Sequence, residues 1–210
     1  MRSTETHPSW NLNKSGSPFL TAIVLCVVAA LSYLSAVLAG ALTLPWTLSP
    51  LWPGCAFLVA VLLCVPKKMW PLFLAAGLAG FFVHDIQSGL QVQTTLLLSV
   101  ADTVEILVAA FGVSYTLGSI PQLNSIKRLT LYSLFAVLLA PAAGAFVGAI
   151  ALGTDYWAMW RISFFSEAIA LLTLPPAMWG ALNAAIARKR KSIAYYLEAA
   201  LLLGGLVSLG

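Results

Sequence analysis

The sequence predicts an all-α integral membrane protein, a polytopic bundle of about seven transmembrane helices. Hydrophobic residues make up 60% and charged residues only 9% of its 210 residues, and the mean hydropathy is +0.94. Soluble domains carry about 25% charged residues, so this composition excludes an ordinary soluble domain. The basic residues gather in short connections between long apolar segments. The net charge of +4 therefore gives no indication of a nucleic-acid partner.

Seven apolar segments supply the predicted helices, since about 20 helical residues cross the roughly 30 Å hydrocarbon core. The preceding residues, 1–18, are too polar for a cleaved signal peptide and are predicted to form a cytoplasmic N-terminal segment. Residues 19–210 are predicted to form one transmembrane domain. Its apolar segments are 19–42, 46–66, 67–86, 94–117, 129–152, 162–182 and 194–210.

The basic residues lie before the first segment and in alternate connections after it. The positive-inside rule therefore predicts a cytoplasmic N-terminus, with these basic residues on the same side of the membrane. Arg161 alone lies in a connection on the opposite side. The residues predicted to face the cytoplasm are Arg2, Lys14, Lys67, Lys68, Lys127, Arg128, Arg188, Lys189, Arg190 and Lys191.

The seventh segment is predicted to leave the cytoplasm and to end outside the membrane at Gly210, with no polar stop after the apolar residues 201–207. We therefore expect the transmembrane domain to be truncated before its last helix, which would return to the cytoplasm. Glu198, near the cytoplasmic start of this segment, is expected to reach the membrane interface and has no assigned role.

The second segment is irregular in its first half. Three prolines and a glycine fall within residues 45–54, and each proline removes a backbone donor and restricts the residue before it. Irregular backbone at membrane depth needs cover from protein or a water-filled cavity. Two interpretations remain open. The stretch is either a partly unwound wall of a ligand pocket, as in transporters with broken helices, or an extracellular loop anchored by Trp46 and Trp52 at the interface.

The fifth segment contains small residues at helical spacing, with Ala140, Gly144 and Gly148 each four residues apart. This spacing lets two helix backbones approach closely. It indicates close packing inside the bundle, and a homodimer face is the alternative.

Three carboxylates lie inside segments that are otherwise apolar. Asp102 and Glu105 are three residues apart on the fourth segment and share a face, and Glu167 lies on the sixth segment. At 1.5 Å per residue they lie about 12, 16 and 9 Å deep, in the outer half or the middle of the bilayer. A charge at the bilayer centre costs several kcal/mol or more, so these acids predict a functional site within the membrane.

The predicted outer half also holds Asp85 and Asp155, and its single arginine is Arg161. This excess of acids predicts a cavity open to the exterior that binds a cation, an amine or protons. The structural alternative is that Glu167 pairs with Arg161 and that the other acids are neutral and hydrogen-bonded. His84 is interpreted as an ordinary interfacial residue.

Signatures of catalysis and of metal binding are missing from the sequence. It contains no Gly-rich phosphate loop, no His-Glu-x-x-His, no nucleophile elbow and no Cys/His cluster. We therefore expect no catalytic activity, bound cofactor or metal in these 210 residues. Cys26, Cys55 and Cys64 fall in apolar runs and are interpreted as packing residues.

Five short motifs occur in order along the chain. They are Leu48-Ser49-Pro50-Leu51-Trp52-Pro53-Gly54, Lys67-Lys68-Met69-Trp70-Pro71, Ala101-Asp102-Thr103-Val104-Glu105, Tyr156-Trp157-Ala158-Met159-Trp160 and Leu174-Pro175. Together they resemble the first type of bacterial membrane-associated sensor domain (MASE), and the likeness extends over about 19–210. That family has a Trp-Pro followed by a small residue and Gly, a later basic residue with Trp-Pro, and an Asn-Thr-x-Glu type sequence on its fourth helix. Asp102 stands where the family commonly has an amide.

The resemblance implies a sensory module of about eight helices in a bacterial inner membrane. Members of the family precede cytoplasmic outputs such as histidine kinases and diguanylate cyclases, so it implies two-component or cyclic di-GMP signalling. It names no ligand. Because the family has an amide at the position of Asp102, we expect Asp102→Asn to be milder than Glu105→Gln or Glu167→Gln.

The leading hypothesis is a sensor domain that binds a small ligand or proton in an outer-half pocket and relays the change to a cytoplasmic output. A small secondary transporter is the second hypothesis, and a structural or assembly subunit is the third. The candidate ligand-binding residues are Trp52, Asp102, Glu105 and Glu167 in the pocket, with Trp157 and Trp160 near its mouth.

Overall fold

The computed structural model describes residues 18–43, 51–118, 121–152 and 155–186, and every regular element in these ranges is helical. A 3₁₀ turn, Lys67–Met69, leads into the third helix, and a π-helix, Ser133–Leu139, joins the fifth to the sixth. The helices are α1 (Pro18–Ala41), α2 (Pro53–Cys64), α3 (Trp70–Gln87), α4 (Val92–Thr116), α5 (Ile126–Tyr132), α6 (Ala140–Leu152) and α7 (Tyr156–Ile186).

Five helical stretches are long and apolar enough to cross a membrane. Their outward faces expose many large apolar side chains, such as Phe19, Leu96 and Ile150, as a surface in contact with lipid would. The fold is thus an all-helical bundle with the character of an integral membrane protein, as predicted. The predicted N-terminal segment and the seventh apolar segment, 194–210, lie outside the described residues. The five stretches are Pro18–Ala41, Lys67–Gln87, Val92–Thr116, Ile126–Leu152 and Tyr156–Ala184.

The second predicted segment differs from the expectation of a helix that crosses the membrane. Its helix, α2, has 12 residues and is therefore about 18 Å long, well short of the hydrocarbon core. It begins at Pro53, where a missing backbone N–H costs nothing, and Trp52 before it is extended. Nine of its 12 residues are buried, so α2 lies inside the bundle rather than facing lipid.

Helix α4 is central, with contacts to α2, α3 and α6, and α1 packs along α3. The contact between α4 and α6 is close at Gly144, where an added Cβ would lie 2.6 Å from Glu105 Oε2. At Gly148, one turn on, a Cβ would lie 3.7 Å from that of Ala101. The small residues of α6 therefore pack inside the bundle, which confirms the first interpretation of their spacing.

Prolines account for two irregularities of the long helices. Pro141 has no N–H for the carbonyl four residues earlier, and the helix before it widens into the π-helix, where Ala140 N–H donates to the Phe135 carbonyl. Pro175 likewise leaves the Leu171 carbonyl without its helical donor. The Tyr132 hydroxyl donates to that carbonyl and so satisfies it from a neighbouring helix.

The bundle has two chemically different ends. We call the end where α1, α3 and α6 finish and α4 and α7 begin the Trp52 end. The opposite end carries the basic residues Lys67, Lys68, Lys127 and Arg128. Residues up to Ala177 form one compact unit, which contains every site residue discussed below, and residues from Met178 form a second.

Candidate functional site

A cavity of about 470 Å³ lies within the bundle and extends to the Trp52 end. Residues of α1, α3, α4, α6 and α7 line it, together with Trp52 just before α2. Four of the six candidate residues from the sequence are among the lining residues: Trp52, Asp102, Glu105 and Glu167. The tertiary structure therefore brings together carboxylates from two helices that are far apart in the chain.

Three of these carboxylates meet a thiol in what we call the acid cluster, formed by Cys55, Asp102, Glu105 and Glu167. Cys55 Sγ donates to Asp102 Oδ1 at 3.4 Å. That sulfur, an Asp102 carboxylate oxygen and a Glu167 carboxylate oxygen all lie within 4.8 Å of one another. Glu105 lies one turn along α4 from Asp102, on the same face, and lines the same cavity. Three of the four side chains thus converge on one small volume, and Glu105 lies beside them on α4.

Local structure explains how Cys55 and Glu105 reach the cluster. Cys55 lies in the first turn of α2, so this helix begins at the depth of Asp102, roughly 15 Å along α4 from its start. Glu105 can pack against α6 only because Gly144 has no side chain there. The close approach of α4 to α6 therefore holds Glu105 in place.

The cluster is buried and incompletely hydrogen-bonded. Glu105 is 3% exposed and Glu167 is 7% exposed, whereas Asp102 is partly exposed. Glu105 Oε1 and Glu167 Oε2 have no hydrogen-bond partner, and neither has the buried hydroxyl of Ser166 beside them in the cavity lining. Buried polar atoms normally have partners, so these unpaired oxygens mark a place where a ligand would be stabilised.

No basic side chain neutralises the cluster within the described ranges. Arg161 is exposed, and its Nε donates to the Trp157 carbonyl at 3.2 Å rather than to Glu167. Among the described residues the sole ion pair joins His84 Nδ1 to Asp85 Oδ1 at 3.3 Å. The structural alternative, in which Glu167 pairs with Arg161, is therefore not found.

His84 and Asp85 also line the cavity, nearer the Trp52 end, together with Ser88. His84 is half-buried, and its ring packs edge-on against Tyr33 with centroids 6.0 Å apart. The sequence analysis interpreted His84 as an ordinary interfacial residue and did not predict that it would line the cavity. The sequence did offer a signal for this position, because His84 precedes Asp85 in the last turn of α3, at the end of the bundle where the other acids were predicted to lie.

Trp52 forms part of the cavity wall. Its ring packs on Phe81 with centroids 6.1 Å apart, and Gly54 lets Phe81 approach the start of α2. The backbone of Trp52 is extended, which favours the interpretation of an unwound pocket wall at this residue. Residues 44–50 of the irregular stretch, which include Trp46, lie outside the described residues.

The other two candidate tryptophans are not among the lining residues. Trp157 is 60% exposed and contacts Tyr156 and Phe146. Trp160 stacks on Phe164, with ring centroids 5.2 Å apart. Both belong to an aromatic cluster along α6 and α7, which the sequence pattern alone could not distinguish from a pocket mouth.

Cys55 is the member of the cluster that the sequence analysis missed. It was interpreted as a packing residue because it lies in an apolar run, and it is indeed buried. Its partner Asp102 is 47 positions away, so only the packing of α2 on α4 reveals the contact.

Comparisons with known protein families, curated proteins and solved structures find no match for this chain. Within the described residues, the cavity combines the carboxylates of Asp102, Glu105 and Glu167 with the Trp52 ring, and no basic side chain pairs with these three acids. Such a cavity is suited to a positively charged ligand.

Proposed function

We propose that the chain is a membrane-embedded sensor domain that binds a cation or protons in the cavity and relays the change to a cytoplasmic signalling output. The observation that carries the proposal is the convergence of Asp102, Glu105 and Glu167 on one cavity, with no basic side chain paired to them in the described part of the chain. Buried acids without counter-charges are costly, and a positive ligand would offset that cost.

The charge distribution supports access from the extracytoplasmic side. The described basic residues of the connections, Lys67, Lys68, Lys127 and Arg128, lie at the end opposite the cavity opening. By the positive-inside rule that end faces the cytoplasm, so the Trp52 end faces outward. The bacterial inner membrane is the location that the MASE resemblance suggests.

The elements around the cavity suggest how binding would become a signal. A ligand held between Asp102 on α4, Cys55 on α2 and Glu167 on α7 would bind best in one particular packing of these helices. Only such a difference in affinity between two packings can shift their populations. Helix α7 would then carry the change toward the cytoplasmic end, since it continues well beyond Glu167.

A small secondary transporter is the second candidate, and α2 is the observation that favours it. A short helix that begins at a buried site resembles the discontinuous helices on which transporters bind their substrates. A sensor binds its ligand without moving it across the membrane, whereas a transporter binds its substrate and also moves it across.

Binding is tested on the purified chain in lipid nanodiscs, with tryptophan fluorescence as the signal and Trp52→Phe to identify the reporter. The probes are protons in a pH series, sodium, magnesium, zinc and methylammonium ions. We expect Glu105→Gln and Glu167→Gln each to weaken binding of the active probe by about tenfold or more, because a bond to a charged group contributes about 1.5–3 kcal/mol.

The matched control is Asp155→Asn, the same acid-to-amide change at the same end of the bundle. Asp155 is exposed, lies outside the cavity lining and accepts a bond from Ala158 N–H, which an asparagine also caps well. This variant is expected to bind like the wild type. Absence of binding for every probe, or equal binding by the glutamine variants, would contradict the proposed site.

Sensor and transporter are separated by uptake and by genetic context. Uptake of the bound cation into proteoliposomes, abolished by Glu105→Gln, would support the transporter. Binding without uptake, together with a reading frame that continues past Gly210 into a kinase or cyclase domain, would support the sensor. A stop codon there with no linked signalling gene would count strongly against a sensor.

A further inference from the structure

We infer that the acid cluster is a binding site for one divalent transition-metal ion of the zinc type, with Cys55, Asp102 and Glu167 as its ligands and Glu105 as the candidate fourth ligand. This inference rests on the proposed cation-binding function and specifies the cation. The sequence contains no metal-binding motif, so the site exists only through the packing of α2, α4 and α7.

The spacing of the donor atoms matches a tetrahedral ion. Zinc lies about 2.3 Å from a cysteine sulfur and about 2.0 Å from a carboxylate oxygen, so sulfur and oxygen ligands on one ion are about 3.5 Å apart. Cys55 Sγ and Asp102 Oδ1 are 3.4 Å apart. The nearest Glu167 oxygen lies within 4.8 Å of both atoms. The Cys55–Asp102 pair therefore has the spacing of two ligands on one zinc ion, and the Glu167 oxygen is near enough to join them on the same ion.

The unpaired oxygens supply an independent indication of a ligand. Glu105 Oε1 and Glu167 Oε2 belong to side chains that are more than nine-tenths buried, and neither atom has a hydrogen-bond partner. Both residues line the cavity. An unsatisfied buried carboxylate oxygen is costly, and coordination to a metal ion would satisfy it. Glu105 lines the same cavity one turn from Asp102 on α4, so it is the candidate fourth ligand.

The thiol favours a transition metal over the other cations that acids bind. Calcium takes six to eight oxygen ligands, and magnesium requires an octahedron and keeps several waters. A sulfur donor beside carboxylate oxygens instead suits zinc and related ions, which accept both kinds of ligand and are usually four-coordinate. A proton or an organic amine would need only the carboxylates and would not use the thiol.

The cavity provides an entry path with suitable chemistry. His84 and Asp85 also line it, nearer the Trp52 end than the cluster. An imidazole and a carboxylate are both ligands of zinc, so these residues are suited to receive an ion at the cavity opening. The start of α2 that carries Cys55 is held by the contact of Gly54 with Phe81.

The first test is a titration of the metal-stripped chain in nanodiscs with cobalt, followed by displacement with zinc. A thiolate ligand gives cobalt an intense near-ultraviolet charge-transfer band that oxygen ligands do not give. We expect one equivalent of cobalt to produce the band and zinc to remove it. Cys55→Ser should abolish the band and weaken zinc binding at least about tenfold, while Cys26→Ser, a cysteine outside the cavity, should behave like the wild type.

Zinc-edge X-ray absorption of the zinc-loaded wild type gives an answer that needs no variant, should Cys55→Ser fail to fold. One sulfur at about 2.3 Å together with oxygens at about 2.0 Å is the expected shell. A shell without sulfur, or a cobalt band that survives Cys55→Ser, would overturn the metal site.

The outcomes also separate this inference from the proposed function. Binding of protons, sodium or methylammonium that depends on Glu105, without any zinc or cobalt binding, would reject the metal and keep the cation sensor. Failure of every probe would reject both.

Discussion

Glu105 is an acidic side chain that is only 3% exposed and lies in a cavity shared with two other acids, Asp102 and Glu167. It packs against α6 at Gly144, where a larger residue would collide with its carboxylate. The MASE resemblance made Asp102 the weakest of the three candidate site acids, because an amide is common at its position. In the structure Asp102 accepts a hydrogen bond from the Cys55 thiol. At the proposed cation site, Asp102→Asn is expected to be mild, because an amide oxygen binds a cation more weakly than a carboxylate does but still binds it.

Gly144→Ala is the prediction that belongs to single residues. Its Cβ would lie 2.6 Å from Glu105 Oε2 and 2.8 Å from Glu105 Cβ, so the carboxylate must move or α4 and α6 must separate. We expect a loss of about 1–3 kcal/mol in stability, as for other overpacked sites, and weaker binding of the active cation. Thermal unfolding and the fluorescence titration in nanodiscs measure the two effects. Gly148→Ala is the control, because its nearest contact would be an ordinary 3.7 Å, and an equal effect of both changes would refute the explanation.

At the scale of helices, the site depends on elements that are irregular. Helix α2 is too short to cross the membrane, and its beginning brings Cys55 to Asp102. Helix α7 carries Glu167 and, two turns later, the pair Pro175 and Pro176. The carbonyl that Pro175 leaves without a helical donor is satisfied by Tyr132 from the neighbouring helix. Broken backbone is thus tolerated here because side chains replace the missing bonds.

Tyr132→Phe tests this replacement. The substitution removes only the hydroxyl and leaves the Leu171 carbonyl buried without a donor, so we expect the free energy of unfolding to fall by about 1–3 kcal/mol. Denaturant or thermal unfolding of the chain in micelles measures the change. Tyr115→Phe serves as the control, since Tyr115 is 90% exposed, and it should leave stability unchanged. A fully stable Tyr132→Phe would mean that water or another group satisfies the carbonyl.

At the scale of the whole molecule, the cavity with its acids and the four basic residues of the described connections lie toward opposite ends. The cavity extends to the Trp52 end, and the described basic residues of the connections occupy the other. Exposed leucine, valine, isoleucine and phenylalanine cover the flanks of the five long helices, so the bundle presents apolar sides and two polar ends. This difference between the two ends is the basis of the proposed orientation, with the cavity end outside the cell and the basic end in the cytoplasm.

The orientation predicts which positions a membrane-impermeant maleimide reaches in intact cells. Gln93→Cys, at an exposed residue of the Trp52 end, should be labelled from outside. Lys68→Cys, at an exposed residue of the opposite end, should be labelled only after the cells are opened. The wild type, with Cys26, Cys55 and Cys64 in apolar helices, provides the background. The reverse pattern would place the cavity on the cytoplasmic side and remove the proposed access for an external ligand.

The sequence by itself determined the helical membrane class, the position of five long helices and the unusual acids within them. These follow from composition, from the length of apolar runs and from the cost of charge in lipid, which act along the chain. It also anticipated the break before Pro53, because proline chemistry is local. Only the tertiary structure decided which other side chains each of these residues contacts. Whether Cys55 contacts Asp102, whether Trp160 lines a pocket, and whether Glu167 pairs with Arg161 depend on how helices distant in the chain pack together, which no periodicity encodes.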